Sequence, residues 1–179
     1  MVRKILIVSS LVSLAFVAYG QNKKKDKALV TTNAETKVNY RELGAPLPPV
    51  RFYTQDGKYL TNQELQNDAN LLLMLFNPTC DHCEDQARIL KENIFLFKNS
   101  KIVLVAAPGM GPYLSYFTNN TKIDSYPTLQ LALDSAQYIE KIFNYDQTLP
   151  QLHVYDKQRK LLKTFYGSNP IDSLKMYIE

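Results

Sequence analysis

The hydrophobic pattern changes period abruptly near the middle of the chain. Leu71 to Phe76 is an unbroken apolar run with the length of a fully buried strand. Downstream, Cys83, Ala87, Leu90, Ile94 and Phe97 recur at intervals of four, three, four and three residues, which draws one apolar stripe along a helix. Between the two patterns lies a short polar corner, Asn77-Pro78-Thr79, followed by Cys80. The spacing therefore predicts strand, tight corner and helix over Leu71–Phe97, with the remaining elements arranged around that unit.

Upstream, Arg51-Phe52-Tyr53-Thr54 and Lys58-Tyr59-Leu60 flank Gln55-Asp56-Gly57, a hairpin signal built on Asp-Gly. Thr61-Asn62-Gln63-Glu64 follows as a capping box that would start a short helix through Leu65. Downstream, Lys101 to Ala107 has the β-branched content of a buried parallel strand, and Pro108 to Pro112 is a loop rich in breakers. Tyr113, Leu114, Tyr116 and Phe117 suggest a short helix. Leu129, Leu131 and Leu133 alternate as in a strand, and Ser135 would cap a helix running through Phe143. The last third reads as strand (Gln151–Tyr155), turn, strand (Lys160–Tyr166) and a helix starting near Pro170, with Ile171, Leu174 and Ile178 as its stripe.

The N-terminus changes the picture of domain organisation. Arg3 and Lys4 precede an apolar stretch, Ile5 to Val17, and Ala18-Tyr19-Gly20 has the small-x-small form of a cleavage signal, so residues 1–20 read as a signal peptide. Residues 21–49 are polar, lysine-rich and then proline-rich, and read as a flexible linker, leaving residues 50–179 as one domain of ordinary size. Export is the expectation, with the bacterial periplasm as the compartment and no membrane attachment after cleavage. The formal net charge of +4, or +2 without Arg3 and Lys4, is concentrated in Lys23-Lys24-Lys25 and Lys27, a solvated run that gives no indication of nucleic-acid binding.

The candidate chemistry is carried by the two cysteines, Cys80 and Cys83, in Cys80-Asp81-His82-Cys83. At i and i+3 on the first turn of a helix they lie close enough to close a small disulfide ring, and the free amides and positive dipole end there stabilise a thiolate. Cys80 would be the exposed nucleophile and Cys83 the resolving thiol. His82 favours the anion and Asp81 opposes it by like charge. A zinc site needs about four ligands; the chain has two Cys and two His, and His82 is poorly placed to join its own flanking cysteines. A static disulfide is permitted by export, but so short a loop gives the least stabilisation.

The strand, the C-x-x-C and the amphipathic helix resemble the active-site unit of the thioredoxin-fold thiol:disulfide oxidoreductases. The hairpin ahead of the strand, and the excess of chain between Thr118 and Tyr145, are similar to the TlpA/ResA-like exported members of that family. The resemblance implies an α/β, thioredoxin-like fold: a central mixed sheet flanked by helices, with an N-terminal β-hairpin extension and a mid-fold insertion. It also implies a cis-proline facing the C-x-x-C. Of two prolines, Pro127 is followed by 52 residues and Pro150 by 29, which suit a closing strand, turn, strand and helix, so Leu149-Pro150 is the choice. Leu149, Pro150 and Thr79 would then dock an extended substrate chain.

The family's usual Trp before the first Cys is Thr79 here, and the buried acid six positions before Cys80 is Met74, leaving Glu84 or Asp85 as substitutes or as surface residues favourable to the helix dipole. The expected activity is thiol–disulfide exchange with cysteine-containing substrate proteins, recycled by an electron-donor or acceptor thiol protein. It needs no metal and no cofactor beyond the redox-active disulfide, and analogy favours a reductant. Two alternatives stand: a copper chaperone resembling the Sco group with His153 as third ligand, and a binding module with an inert bridge.

Overall fold

The computed structural model describes residues 38–135, 138–144 and 148–178. The signal segment and the first part of the linker lie outside them.

Seven strands form one sheet, β1 (Arg51–Thr54), β2 (Tyr59–Thr61), β3 (Leu71–Phe76), β4 (Lys101–Ala106), β5 (Leu129–Asp134), β6 (Gln151–Tyr155) and β7 (Leu161–Tyr166), in the order β2-β1-β5-β4-β3-β6-β7. The centre is parallel, with β3 beside β4 and β4 beside β5, and the flanks are antiparallel. All six side chains of β3 are buried, as an uninterrupted apolar run in a strand covered on both faces requires. Leu72, Met74 and Phe76 enter one core together with Cys83, Ala87 and Leu90 of helix α1 (Asp81–Glu92). Leu71, Leu73 and Leu75 enter a second core on the opposite face, with Phe52, Val103, Val105 and Phe143. Helix α2 (Leu114–Thr121) lies on the first side, where Phe117 stacks on Phe76 with ring centroids 4.5 Å apart.

The β1–β2 hairpin and the mid-chain excess are not separate appendages. Strand β5, which arises from that excess, pairs with β4 on one side and β1 on the other, so it carries the hairpin into the main sheet. The helix after it, α3 (Tyr138–Phe143), covers the second core with Ile139 and Phe143. Its cap differs from the expected one. Both the amide and the hydroxyl of Ser135 donate to the Arg51 carbonyl at 3.2 and 2.6 Å, continuing the sheet ladder, and the carboxylate of Asp134 accepts the Ile139 amide at 3.0 Å instead.

Other boundaries also moved for identifiable reasons. The Thr61–Glu64 box forms, with the Glu64 carboxylate accepting the Thr61 amide at 2.9 Å, but it makes one turn only. The Leu65 carbonyl that a longer helix would use is taken by the Arg159 guanidinium, whose Nε lies 3.1 Å away. The stripe over Cys83–Phe97 is helical to Glu92 and then tightens into a 3-10 turn, Ile94–Leu96, after the Asn93 side chain takes the Ile89 carbonyl at 2.9 Å. The final helix is short, α4 (Ile171–Leu174) with a 3-10 turn after it.

Residues 38–49, read from sequence as the end of a linker, are packed. Gly44 and Leu47 donate backbone hydrogen bonds to Leu161 and Arg159 at 2.7 and 2.8 Å, Leu161 donates to Ala45 at 2.8 Å, and Leu47 is buried. Their prolines and polar residues mimic a linker in composition, yet the backbone pairs with the β6–β7 turn.

Candidate active site

The corner after β3 is built by Asn77. Its side-chain oxygen accepts the Thr79 amide and the Thr79 hydroxyl, each at 3.0 Å, and its main-chain oxygen accepts the Cys80 amide at 3.1 Å. This double turn brings Cys80 to the N-cap of α1 in an extended conformation (φ −103°, ψ 118°), where its carbonyl accepts the Cys83 and Glu84 amides at 3.0 and 3.1 Å. The Cys80 side chain makes no cap bond, so the sulfur sits beside the helix N-terminus without spending itself on the backbone.

The two thiols differ in environment. Cys80 is half-buried and Cys83 is fully buried under the first turn. Burial pushes the Cys83 thiol well above the usual cysteine range, and the neighbouring Cys80 sulfur adds to this, while the backbone amide of Asn77 opposes it. An accessible sulfur in front of a protonated, sheltered one is the division of labour expected of attacking and resolving thiols. Asp81 and His82 are exposed on the same turn, and Thr79 is exposed with its hydroxyl committed to Asn77.

Leu149–Pro150 is a cis peptide, and Pro150 leads into β6, the strand paired with β3. Leu149 is half-buried and Pro150 buried, and the Pro150 carbonyl accepts the Gly167 amide at 2.8 Å. The C-terminal ends of β3 and β4 and the start of β6 thus meet at one end of the sheet's strands, and the cysteine corner rises from that end.

Two expectations change. Met74 is indeed buried in the core that holds Cys83, but Glu84 is not a surface residue: it is 6% exposed, with Arg88 at 2.6 Å on one oxygen and Asn120 Nδ2 at 2.9 Å on the other. Asp85 is the exposed one, paired with Arg88 at 2.9 Å. His153 stands opposite Leu73 in the β3–β6 ladder and stacks on Phe143, with ring centroids 4.1 Å apart, so it faces the second core. The cysteines lie on the other face, and the sheet separates them from the imidazole. A copper site of two cysteines and His153 has no geometric basis.

Sequence reasoning passed over Gln86, Asn120 and Asn169. Gln86 and Glu84 are polar residues inside an amphipathic helix, where only the fold distinguishes a buried position from a solvated one.

No family model matches the chain, and no curated protein sequence matches it. Solved structures do. The thioredoxin domain of a thiol-disulfide oxidoreductase from Bacteroides vulgatus is 13% identical, with a TM-score of 0.63 over 77% of this chain and 99% of that one. A secreted disulfide oxidoreductase of Mycobacterium tuberculosis, described as homologous to Escherichia coli DsbE, is 15% identical, with a TM-score of 0.58 over 71% of this chain and 92% of that one. A thioredoxin-like protein from Bacteroides caccae is 18% identical, with a TM-score of 0.61 over 76% of this chain and 48% of that one. The fold is thioredoxin-like.

Proposed function

We propose that this protein is an exported thiol–disulfide oxidoreductase that exchanges disulfides with protein cysteines through Cys80 and Cys83, acting as a reductant. The observation that carries this reading is the half-buried Cys80 at a helix N-cap with buried Cys83 one turn behind it, at the same end of the sheet as Leu149–Pro150. The fold's neighbours include proteins described as thiol-disulfide oxidoreductases, one of them secreted, which agrees with it.

The Cys80 thiolate attacks one sulfur of a substrate disulfide, forming a mixed disulfide and expelling the other substrate sulfur as a thiolate. Cys83 then gives up its proton and attacks the Cys80 sulfur. A Cys80–Cys83 disulfide forms, the second substrate sulfur leaves, and two electrons have passed to the substrate, whose sulfurs take up two protons. The helix N-terminus stabilises the Cys80 anion that makes the first attack, and His82 and Asp81, exposed beside it, tune that anion in opposite senses. Leu149, Pro150 and Thr79 form the ground on which a substrate chain lies. The dithiol itself is the redox group, and a second thiol protein in the bacterial periplasm restores it.

The test is the reduction potential of the Cys80–Cys83 couple, measured by equilibrating the chain from Val38 onward against graded thiol buffers. A value near about −270 mV supports a reductant and one near about −120 mV an oxidant. A pair that cannot be reduced and reoxidised reversibly under native conditions overturns the reading and favours the inert bridge.

A further inference from the structure

We propose that Gln86 is a positioning residue that holds the Pro150 loop against the cysteine-bearing helix, an inference that rests on the thiol–disulfide exchange reading. Gln86 lies on α1 three residues beyond Cys83 and is 0% exposed. Its Oε1 accepts the Asn169 amide at 2.7 Å. Asn169 in turn donates through Nδ2 to the Gly167 carbonyl at 2.7 Å and to the Tyr166 carbonyl at 3.2 Å. Gly167, with φ of +71° in the region that favours glycine, donates its amide to the Pro150 carbonyl at 2.8 Å. Four residues from three segments thus form one connected path from the helix that carries Cys83 to the proline beside the reacting sulfurs.

The chemistry of Gln86 argues that this path is its purpose. The backbone amide of Asn169 can only donate, so the carboxamide is oriented with Oε1 toward it. That leaves Nε2 fully buried with no hydrogen-bond partner among the described residues. A Leu or Met would fill the same volume with no unpaired polar group, so core packing alone does not explain a glutamine here. What the glutamine adds is one acceptor, aimed at the loop that braces Pro150. Loss of that acceptor frees the β7–α4 loop, and with it the Pro150 segment, while the corner at Asn77–Cys80 keeps its own bonds. The network therefore governs how a polypeptide is held and not how the sulfur reacts.

The experiment compares two probes. Pre-reduced wild-type protein, Gln86→Met and Asn169→Ala are reacted in single turnover with insulin, a polypeptide disulfide, and with 5,5′-dithiobis(2-nitrobenzoate), a small disulfide with no chain to dock. Asn169→Ala keeps the backbone bond to Gln86 but removes the two carboxamide bonds that carry the path on to Gly167, without touching the buried core, so it tests the path even where Gln86→Met fails to fold. The expected result is a fall of about 3- to 10-fold in the insulin rate of Gln86→Met, the range one lost hydrogen bond gives, and at least as large a fall in Asn169→Ala, which loses two, with the small-disulfide rate within about twofold of wild type in both. Unchanged insulin rates, or an equal fall with both probes, would overturn the inference. A wild-type protein that reduces neither probe would instead overturn the exchange reading beneath it.

Discussion

Nδ1 of His153 lies 3.0 Å from the Thr164 hydroxyl across the β6–β7 pair, while its Nε2 is buried with no hydrogen-bond partner among the described residues. Burial, with a smaller contribution from nearby Arg41, pulls this imidazole down to about 3. A depressed histidine means that the unfolded chain binds the proton first. Stability is therefore complete above about pH 6.5 and falls as the pH drops toward 3. Two pH units of that window correspond to roughly 3 kcal/mol. We expect urea unfolding at pH 4.5 to show a loss of this order relative to pH 7, and His153→Leu to lose markedly less over the same interval. Equal losses in both proteins would place the acid sensitivity elsewhere.

The same strand shows what the sequence made legible and what it did not. The strand–corner–helix unit, the Asp-Gly hairpin and the closing strands were readable because each rests on local period and turn chemistry. Leu149–Pro150 was readable once chain length was counted. His153 was left open because a histidine in a strand says nothing of which face it occupies; that follows from the register with Leu73, which is long-range. Glu84 was left open between substitute acid and surface residue, and Gln86 was passed over, because which side of α1 is buried likewise follows from long-range packing. Ser135 looked like a cap until the pairing of β1 with β5 used its donors.

The inequality of the two cysteines predicts a trapping experiment. With Cys83 buried and Cys80 accessible, iodoacetamide should label Cys80 first in the reduced protein, leaving Cys83 unmodified until the chain unfolds. Cys83→Ser should accumulate a mixed disulfide with insulin that no second thiol resolves, and Cys80→Ser should accumulate none. Mass spectrometry of non-reduced digests distinguishes these outcomes, and preferential labelling of Cys83 would reverse the assigned roles.

Asn77 accepts three hydrogen bonds within its own corner, two of them through one side-chain oxygen. Asn77→Ala should cost about 1–2 kcal/mol in urea unfolding. It should also slow Cys80 alkylation at neutral pH several-fold, because the sulfur is no longer held beside the helix N-terminus. Thr79→Val removes only the hydroxyl bond, so its effect should lie between that of Asn77→Ala and none. Identical alkylation rates in both variants and the wild type would show that α1 holds Cys80 without the corner.

Truncation tests the packed N-terminal segment. A chain starting at Val50 discards the Gly44, Ala45 and Leu47 backbone bonds to Leu161 and Arg159 and uncovers the side of the second core that Leu47 closes. Compared with a chain starting at Val38, it should be less stable by about 2–4 kcal/mol in urea unfolding, from lost side-chain burial and several lost hydrogen bonds. Equal midpoints would restore the view of residues 38–49 as a linker.

Arg159 supplies the most demanding stability test, because its charge is satisfied by carbonyls. It is 5% exposed, at φ 59°, and its guanidinium donates to the carbonyls of Leu65, Ala69 and Asp156 and to the Asn67 side-chain oxygen. Burial pulls its pKa below the ordinary arginine value, and Asp156 opposes that shift. The fork joins the turn after β2, the entry to β3 and the β6–β7 turn at the end of the sheet remote from Cys80. Arg159→Met keeps the aliphatic length but strands several carbonyls, each worth about 1–3 kcal/mol when buried and unpaired. Relaxation of the turns toward water reduces the sum, so we expect about 2–4 kcal/mol by urea unfolding. Arg159→Lys should recover little, because a point charge cannot span carbonyls set out for a planar fork. Since the site lies at the opposite edge, the Cys80–Cys83 reduction potential should stay at its wild-type value in the folded Arg159→Lys protein; a shift would mean that the two ends of the sheet are mechanically coupled.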